Sequence, residues 1–316
     1  MDHWSISVVI PTFNGKHLLS KNIPFLMKAM EYYGGTVEII VVDDASTDGT
    51  AEFLQGNYPG IILLLNERNL GFSETINRGI LYARHELVLA LNNDIQVTED
   101  LFCYPLEWFR DDEVFSVTLN MIDSVSRVTQ SLNRLDAGWC WYKTRNLQPS
   151  ELTDASGEIP LFFASGGGSF FCKWKLLSLG GFDPIFHPFY VEDVDLSYRA
   201  WKAGWKCLFE ARTVVYHETS STILGIHKKR KVKFVGDRNR TLFIWLNITD
   251  PFLILRYFCF LPLSIIYDIA GFRKYKFVGF FWSIKYIKKV LRGRRLRSQM
   301  QRVTDRQVIG QISYDG

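Results

Sequence analysis

Apolar and polar positions follow two alternating periods over the first hundred residues. Runs of Val, Ile and Leu at 6–10, 37–42, 61–65 and 87–91 read as strands, whereas the spacing at 18–32, 50–55 and 71–82 reads as helices. Pro11 is expected to end the first strand, since it brings no N–H to a ladder. Strands alternating with helices predict a mainly parallel sheet with crossover helices, and ligands bound beyond the strand C-termini. Between 100 and 160 the pattern weakens, which suggests excursions over the sheet. Apolar spacing returns as a helix opening at Glu192 and running to Trp201, and as a strand at 213–216.

Several of these elements border candidate chemistry. Strand 37–42 runs into Asp43-Asp44, and Ser46-Thr47-Asp48-Gly49 then leads into the next helix. Paired carboxylates there suit a ribose hydroxyl, a base edge or a cation; a capped helix after a buried strand explains the same residues without a ligand. Strand 87–91 closes on Asn92-Asn93-Asp94, hard oxygen donors that fit Mg2+ or Mn2+ on a diphosphate, or an ordinary Asn/Asp turn. Glu192-Asp193-Val194-Asp195 opens a helix, where acids are favoured by the dipole. Yet three carboxylates within four positions repel unless something compensates, and a general base facing a hydroxyl fits that setting. Gly166-Gly167-Gly168 interrupts an apolar run, either for close approach to a ligand or as a loop or bulge.

Val8-Val9-Ile10-Pro11-Thr12-Phe13-Asn14, Asp43-Asp44, Asn69-Leu70-Gly71-Phe72, Asn92-Asn93-Asp94, Gly180-Gly181-Phe182-Asp183 and Glu192-Asp193-Val194-Asp195 follow one another in this order. The set resembles the family 2 glycosyltransferases of the GT-A fold, and within them the rhamnosyltransferase-type enzymes of bacterial surface-polysaccharide assembly. The resemblance implies an α/β, Rossmann-like sheet and an inverting transfer of one sugar, a deoxyhexose such as rhamnose, from a nucleotide-diphosphate donor to a lipid-linked glycan or polysaccharide. It implies that Pro11, Thr12, Phe13, Asn14, Asp43, Asp44, Asn69, Gly71, Asn92 and Asn93 bind the donor, with Asp44 on the base. Asp94 and His217 would hold Mg2+ or Mn2+; Gly166, Gly167, Gly168 and Ser169 would line the acceptor cleft. Asp193 would be the base, with Glu192 and Asp195 orienting it or the acceptor. Asn92-Asn93-Asp94 departs from the usual Asp-x-Asp, which weakens cation affinity by one carboxylate, although the same form occurs in the rhamnosyltransferase-like subgroup.

Charge divides the chain. Residues 271–316 hold 12 Lys and Arg against 2 acids, although the whole chain carries only +4. A mildly acidic body with a basic tail implies an anionic partner. From 241 to 290 the chain holds 14 of its 47 aromatic residues, and Phe252–Tyr267, interrupted by Arg256 and Pro262, falls short of a clean membrane span. Helices lying in a membrane interface fit this better than aromatics packed on the body or on a second subunit. The expected organisation is a catalytic domain at 1–240 and a membrane-associating helical region at 241–316, peripheral on the cytoplasmic face of the plasma membrane, with homo-oligomerisation open. The basic run 227–233 is expected either to close over a diphosphate or to form a solvated or membrane-facing patch. Cys103, Cys140, Cys172, Cys207 and Cys259 show no metal or disulfide spacing and read as reduced, buried thiols of the cytosol. The N-terminus fits no signal peptide. A non-catalytic nucleotide-sugar-binding scaffold is the alternative; no GxGxxG supports a dinucleotide enzyme, and the acids disfavour a nucleic-acid partner.

Overall fold

The computed structural model describes residues 4–136, 143–152, 157–218, 229–271 and 275–313. Eight strands form one sheet: β1 (Ile6–Thr12), β2 (Val37–Asp43), β3 (Ile62–Leu65), β4 (Leu87–Leu91), β5 (Ile95–Gln96), β6 (Val114–Asp123), β9 (Gly168–Cys172) and β10 (Lys206–His217). Their order is β3-β2-β1-β4-β9-β6-β10-β5, with β7 (Asn133–Asp136) and β8 (Lys143–Asn146) as a separate pair. Pairing is parallel from β3 through β4 and between β6 and β10, whereas β9 runs antiparallel to β4 and β6, and β5 antiparallel to β10. The sheet is therefore mixed, because β9, which follows the poorly patterned 100–160 stretch, enters its middle antiparallel to both neighbours.

The central strands are buried on both faces, which explains their nearly unbroken apolar runs. Ile6, Val8 and Ile10 of β1 meet Leu19, Ile23 and Leu26 of α1 (Lys16–Tyr33) on one side. Val9 joins Ile76 and Ile80 of α3 (Phe72–Tyr82) on the other. Each such side chain contributes about 1.5–3 kcal/mol by leaving water. Pro11 does not end β1: it pairs in register with Val42 and the strand reaches Thr12. Pairing with β4 has already stopped at Val9, so the ladder on that side does not extend to Pro11.

Past β2 the chain forms α2 (Thr50–Asn57); past β9 it forms α4 (Lys173–Ser178) and α5 (Glu192–Lys202). The C-terminal helices are α6 (Lys229–Asn247), α7 (Pro251–Ala270), α8 (Tyr275–Ile284), α9 (Ile287–Ser298) and α10 (Asp305–Ile312). The 240/241 boundary falls inside α6, whose Leu242, Phe243 and Leu246 join the core beside α5. Arg297 of α9 ion-pairs with Asp195, and Asp305 of α10 accepts hydrogen bonds from Tyr198 and Lys202. The C-terminal region is thus built onto the body that carries the sheet through α5.

α7 differs from these. Asp250 caps it through Leu253 N at 3.0 Å, with Pro251 in the first turn. By length and composition it could cross a membrane, yet only 11% of it is buried. Phe252, Leu255, Leu263, Ile266 and Tyr267 are 61–70% exposed. Of the four described cysteines, all free, only Cys207 is buried and Cys259 is exposed, so the expectation of buried thiols fails for Cys259; Cys140 lies outside the described residues.

Candidate active site

The C-terminal ends of β1, β2 and β4 bring the donor-side candidates together. Asp43 accepts from Ser46 N at 3.0 Å and from the Ser46 hydroxyl. Asn14, at φ 50°, accepts from Thr47 N at 2.8 Å, while its own N–H donates to Ser46 Oγ. Asn93 Nδ2 donates to Thr12 Oγ1 at 2.7 Å, closing β4 onto β1, and Pro11 and Phe13 are partly exposed beside that junction.

Asp44 is more committed than the sequence suggests. One oxygen accepts from Asn66 Nδ2 at 2.7 Å and Leu70 N at 2.8 Å; the other accepts from Gly71 N at 2.9 Å. It therefore fixes the 66–71 loop, which includes Asn69, ahead of α3. Gly71 takes φ +81°, and a Cβ there would sit 2.6 Å from His187 Nδ1, so glycine is required by conformation and by space.

At the end of β4, Asp94 Oδ2 lies 3.3 Å from His217 Nε2, while buried Asp94 Oδ1 has no hydrogen-bond partner. A sealed, unpaired carboxylate oxygen is costly unless something is bound there. His217 Nδ1 lies 2.7 Å from Gln130 Oε1, and Gln130 Nε2 donates to Asp123 Oδ2 at 3.1 Å. That chain holds the ring by its far nitrogen and turns Nε2 toward Asp94, as outer-shell groups do for ligating histidines. The hydrogen bond to Asp94 holds the imidazole above its ordinary pKa against the opposing effect of burial. Carboxylate plus imidazole fits a divalent cation whose remaining sites a diphosphate would fill. Among the described residues no third His, Cys, Asp or Glu joins them.

Glu192 and Asp193 open α5 after Tyr190 and Val191, both at positive φ, 68° and 83°. A β-branched residue in that region is strained, and such strain persists only where the surroundings impose it. Asn239 of α6 imposes it: its Nδ2 lies 2.6, 3.0 and 2.9 Å from the carbonyls of Phe186, Phe189 and Tyr190. Arg238, buried against Trp282 and Tyr286, donates to the Phe186 and His187 carbonyls. Burial, and then the neighbouring Asp193 charge, pushes the Glu192 carboxyl up to about 8. Burial likewise raises Asp193 to about 6, against hydrogen bonds from the Val194 and Gly166 backbones. Glu192 Oε2 is sealed and unpartnered.

Asp195 does not share their setting. Two positions along the helix it faces the opposite side, wholly buried, with Arg199 Nε at 2.8 Å, Arg297 Nη1 at 2.5 Å and Asn247 Nδ2 at 2.7 Å. Despite its burial, the two guanidiniums hold its carboxyl below the usual range. Asp195 anchors the C-terminal helices and does not orient an acceptor. The glycine segment also departs from expectation. Gly166 to Ser169 are buried, and Ser169 donates to Ser165 O at 2.7 Å inside the sheet, so they do not line an open cleft. A Cβ on Gly167 would strike Asn92. Gly167 O accepts from Asn92 N at 2.9 Å, and the Gly166 backbone lies close enough to Asp193 to oppose the rise of its carboxyl, so the segment runs from the end of β4 to the start of α5.

Residues 219–226, after His217, and the first two residues of the 227–233 run lie outside the described residues; from Lys229 onward that run is the start of α6. Gln130 gave no sequence signal and Asn239 a weak one. Gln130 sits in the unpatterned stretch, but Asn239 and Asn247, eight apart among Val235, Leu242, Phe243 and Leu246, are a polar pair on a buried helical face that could have been noticed.

Comparison with known proteins agrees with this geometry. The family model of glycosyl transferase family 2 matches residues 7–176, more than half of the chain. The chain is 26% identical over 240 residues to N-acetylglucosaminyl-diphospho-decaprenol L-rhamnosyltransferase of Mycobacterium tuberculosis, covering 64% of this chain and 76% of that one. Its fold is like that of GalNAc-T7 with UDP, GalNAc and Mn2+, with TM-score 0.64 and 18% identity, over 92% of this chain and 57% of that one. It is also like the mannosyltransferase PcManGT of Pyrobaculum calidifontis in complex with GDP-Man and Mn2+, with TM-score 0.53 and 15% identity, over 95% of this chain and 74% of that one. The chain belongs to glycosyl transferase family 2 and is a glycosyltransferase enzyme of the GT-A fold.

Proposed function

We propose that the chain is an inverting transferase that moves one sugar, a deoxyhexose such as rhamnose, from a nucleotide diphosphate to a lipid-linked glycan. The observation that carries the reading is the 166–167 segment, whose Gly167 carbonyl accepts from Asn92 N at 2.9 Å, two residues before Asp94, and whose Gly166 backbone lies beside the Asp193 carboxyl. Leaving-group and base elements are thereby fixed relative to each other, and such positioning supplies much of the rate in a displacement of this kind.

Asp94 and His217 would hold Mg2+ or Mn2+ against the diphosphate. When bound, the cation offsets the charge that develops on the departing phosphate. The Pro11–Asn14 turn, Asp43 and the 66–71 loop held by Asp44 form the nucleoside side. Asp193, raised to about 6, is ionised at neutral pH but still basic enough to take a hydroxyl proton. The acceptor oxygen gives that proton to Asp193 and bonds to the anomeric carbon from the face opposite the phosphate. The carbon–phosphate oxygen bond breaks, its electron pair leaves with the diphosphate, and the configuration inverts. Glu192, raised to about 8, keeps its proton at neutral pH and adds no second charge beside the base.

The exposed apolar side of α7, with Ile284, Ile287 and Leu291 beside exposed Lys285, Lys288, Lys289 and Arg292, supports docking on the inner face of an anionic membrane. Arg294 and Arg297 are not part of that surface: Arg294 donates to Trp245 and Ile248 carbonyls, and Arg297 binds Asp195. The test is a thermal-shift panel of nucleotide-diphosphate sugars with and without Mn2+, since a ligand of the folded state raises the melting temperature. One sugar nucleotide should stabilise the protein, more so with Mn2+, and Asp94→Asn should remove the Mn2+ increment. Indifference of the folded protein to every nucleotide would sink the reading.

A further inference from the structure

The inner side of α8 meets α6 at Arg238. A Cβ on Gly279 would lie 2.8 Å from Arg238 N, so the two helix backbones touch there, and Ser283 Oγ donates to Arg238 O at 3.2 Å. Trp282 of α8 and Tyr286, just past its end, set their rings 4.6 and 5.4 Å from the guanidinium. Arg238 is only 2% exposed, yet among the described residues its hydrogen bonds all go to neutral acceptors. These are the Phe186 and His187 carbonyls, the Tyr286 hydroxyl and Asn239 Oδ1. A guanidinium taken out of water without a carboxylate is costly.

Its effect on Asn239 explains its place. Two guanidinium N–H groups reach Asn239 Oδ1, at 2.9 and 2.7 Å, so the amide must turn its Nδ2 to the carbonyls of 186, 189 and 190. Those carbonyls lead through the strained Tyr190 and Val191 to Asp193. The outer side of α8 is apolar and unsupported: Phe277, Val278, Phe281 and Ile284 are 37–52% exposed, and exposed Lys285, Lys288, Lys289 and Arg292 follow. Ten residues fall short of the ~12–15 at which an isolated helix becomes even marginal in water. An anionic bilayer suits both features, taking the apolar side and pairing with the lysines. It grips the formed helix and not a frayed one, so by linkage it favours the docked form. We propose that Arg238 positions the base turn from α8, and that an anionic bilayer on the outer side of α8 thereby holds Asp193 more rigidly in place. The lipid step rests on the membrane docking proposed above, and its consequence for turnover on the transferase reading; the positioning by Arg238 rests on neither.

The experiment is amide hydrogen exchange on the full chain, alone and with vesicles of phosphatidylglycerol or phosphatidylcholine, with flotation as the measure of binding. Phosphatidylglycerol should slow exchange at 186–194 by about tenfold or more, and phosphatidylcholine should not. Arg238→Met should exchange faster than wild type there without lipid. It should still float with phosphatidylglycerol vesicles but show no slowing at the turn, while 242–247 of α6 exchange as in wild type. Should Arg238→Met fail to fold, Trp282→Leu removes one face of the guanidinium's setting and is read in the same way. Slowing in Arg238→Met equal to that in wild type would mean that lipid covers the turn directly, and would overturn the relay. Faster exchange spread through α6 and the sheet would overturn positioning in favour of a general structural role. Wild type that floats without slowing removes only the relay, and wild type that does not float removes the docking reading with it. A nucleotide-sugar thermal shift on the same samples reports on the transferase reading separately.

Discussion

The two acidic edges of the site use the same residue types differently. On the donor side, Asp43 and Asp44 spend their oxygens on Ser46, Asn66, Leu70 and Gly71 and shape the chain around them. On the acceptor side, Glu192 and Asp193 sit in a dry setting where burial raises both and leaves Glu192 Oε2 without a partner. A carboxylate whose oxygens are taken up in shaping the chain is a structural brace; one whose charge is opposed by burial is poised for protons. Asp94 stands between the two, with one oxygen on His217 and one unpaired.

The contrast breaks most sharply at Asp193. Replacing it with Asn should lower turnover by about 10²–10⁴-fold, the usual contribution of a general base, while leaving the donor-induced thermal shift in place. Residual activity near wild type would move the base elsewhere. Asn239→Leu should act on the same step without touching substrate, because the Tyr190–Val191 turn loses its clamp. Misplacement of this kind costs on the order of 10²-fold in kcat. An unchanged kcat, with donor affinity also unchanged, would show that the turn holds itself.

For Asp44→Ala the expected loss is stability rather than chemistry. Removing the acceptor of three hydrogen bonds should lower the unfolding free energy by roughly 2–3 kcal/mol, read from urea titration. A variant as stable as wild type but blind to nucleotide would instead make Asp44 a direct donor ligand.

The sheet's parallel half was legible because its strands are buried on both faces and carry uninterrupted apolar runs, as at Val37–Val42. β9 was not, since this five-residue strand opens on Gly168 and Ser169 and is set by distant partners, such as Thr118 of β6 against Ser169, rather than by a period of its own. Within Glu192-Asp193-Val194-Asp195, sequence proximity suggested one functional cluster. Helical geometry turns Asp195 away from Asp193 and into the core, where Arg297, 102 positions away, neutralises it. A partner so distant leaves no local pattern. Asn239 leaves a local trace, a polar residue on a buried helical face, but its purpose shows only when the 186–190 carbonyls are placed against it.

Glu192 gives the smallest effect and separates the two acidic edges by pH alone. In the folded chain its carboxyl is raised to about 8, against the ordinary 4.5 in the unfolded chain, so between these the folded state holds a proton that the unfolded state has released. Stability contributed by this group is therefore present below pH 4.5 and is lost as pH rises through about 8. Glu192→Gln should match wild type in urea at acid pH and exceed it at alkaline pH. Asp193 must lose its proton to act, so kcat/KM of the wild type should rise through about pH 6. Because Glu192 is neutral in that range, the glutamine variant should keep the limb in the same place. A limb shifted down to the ordinary carboxylate range would mean that the two acids share one proton and act as a single group.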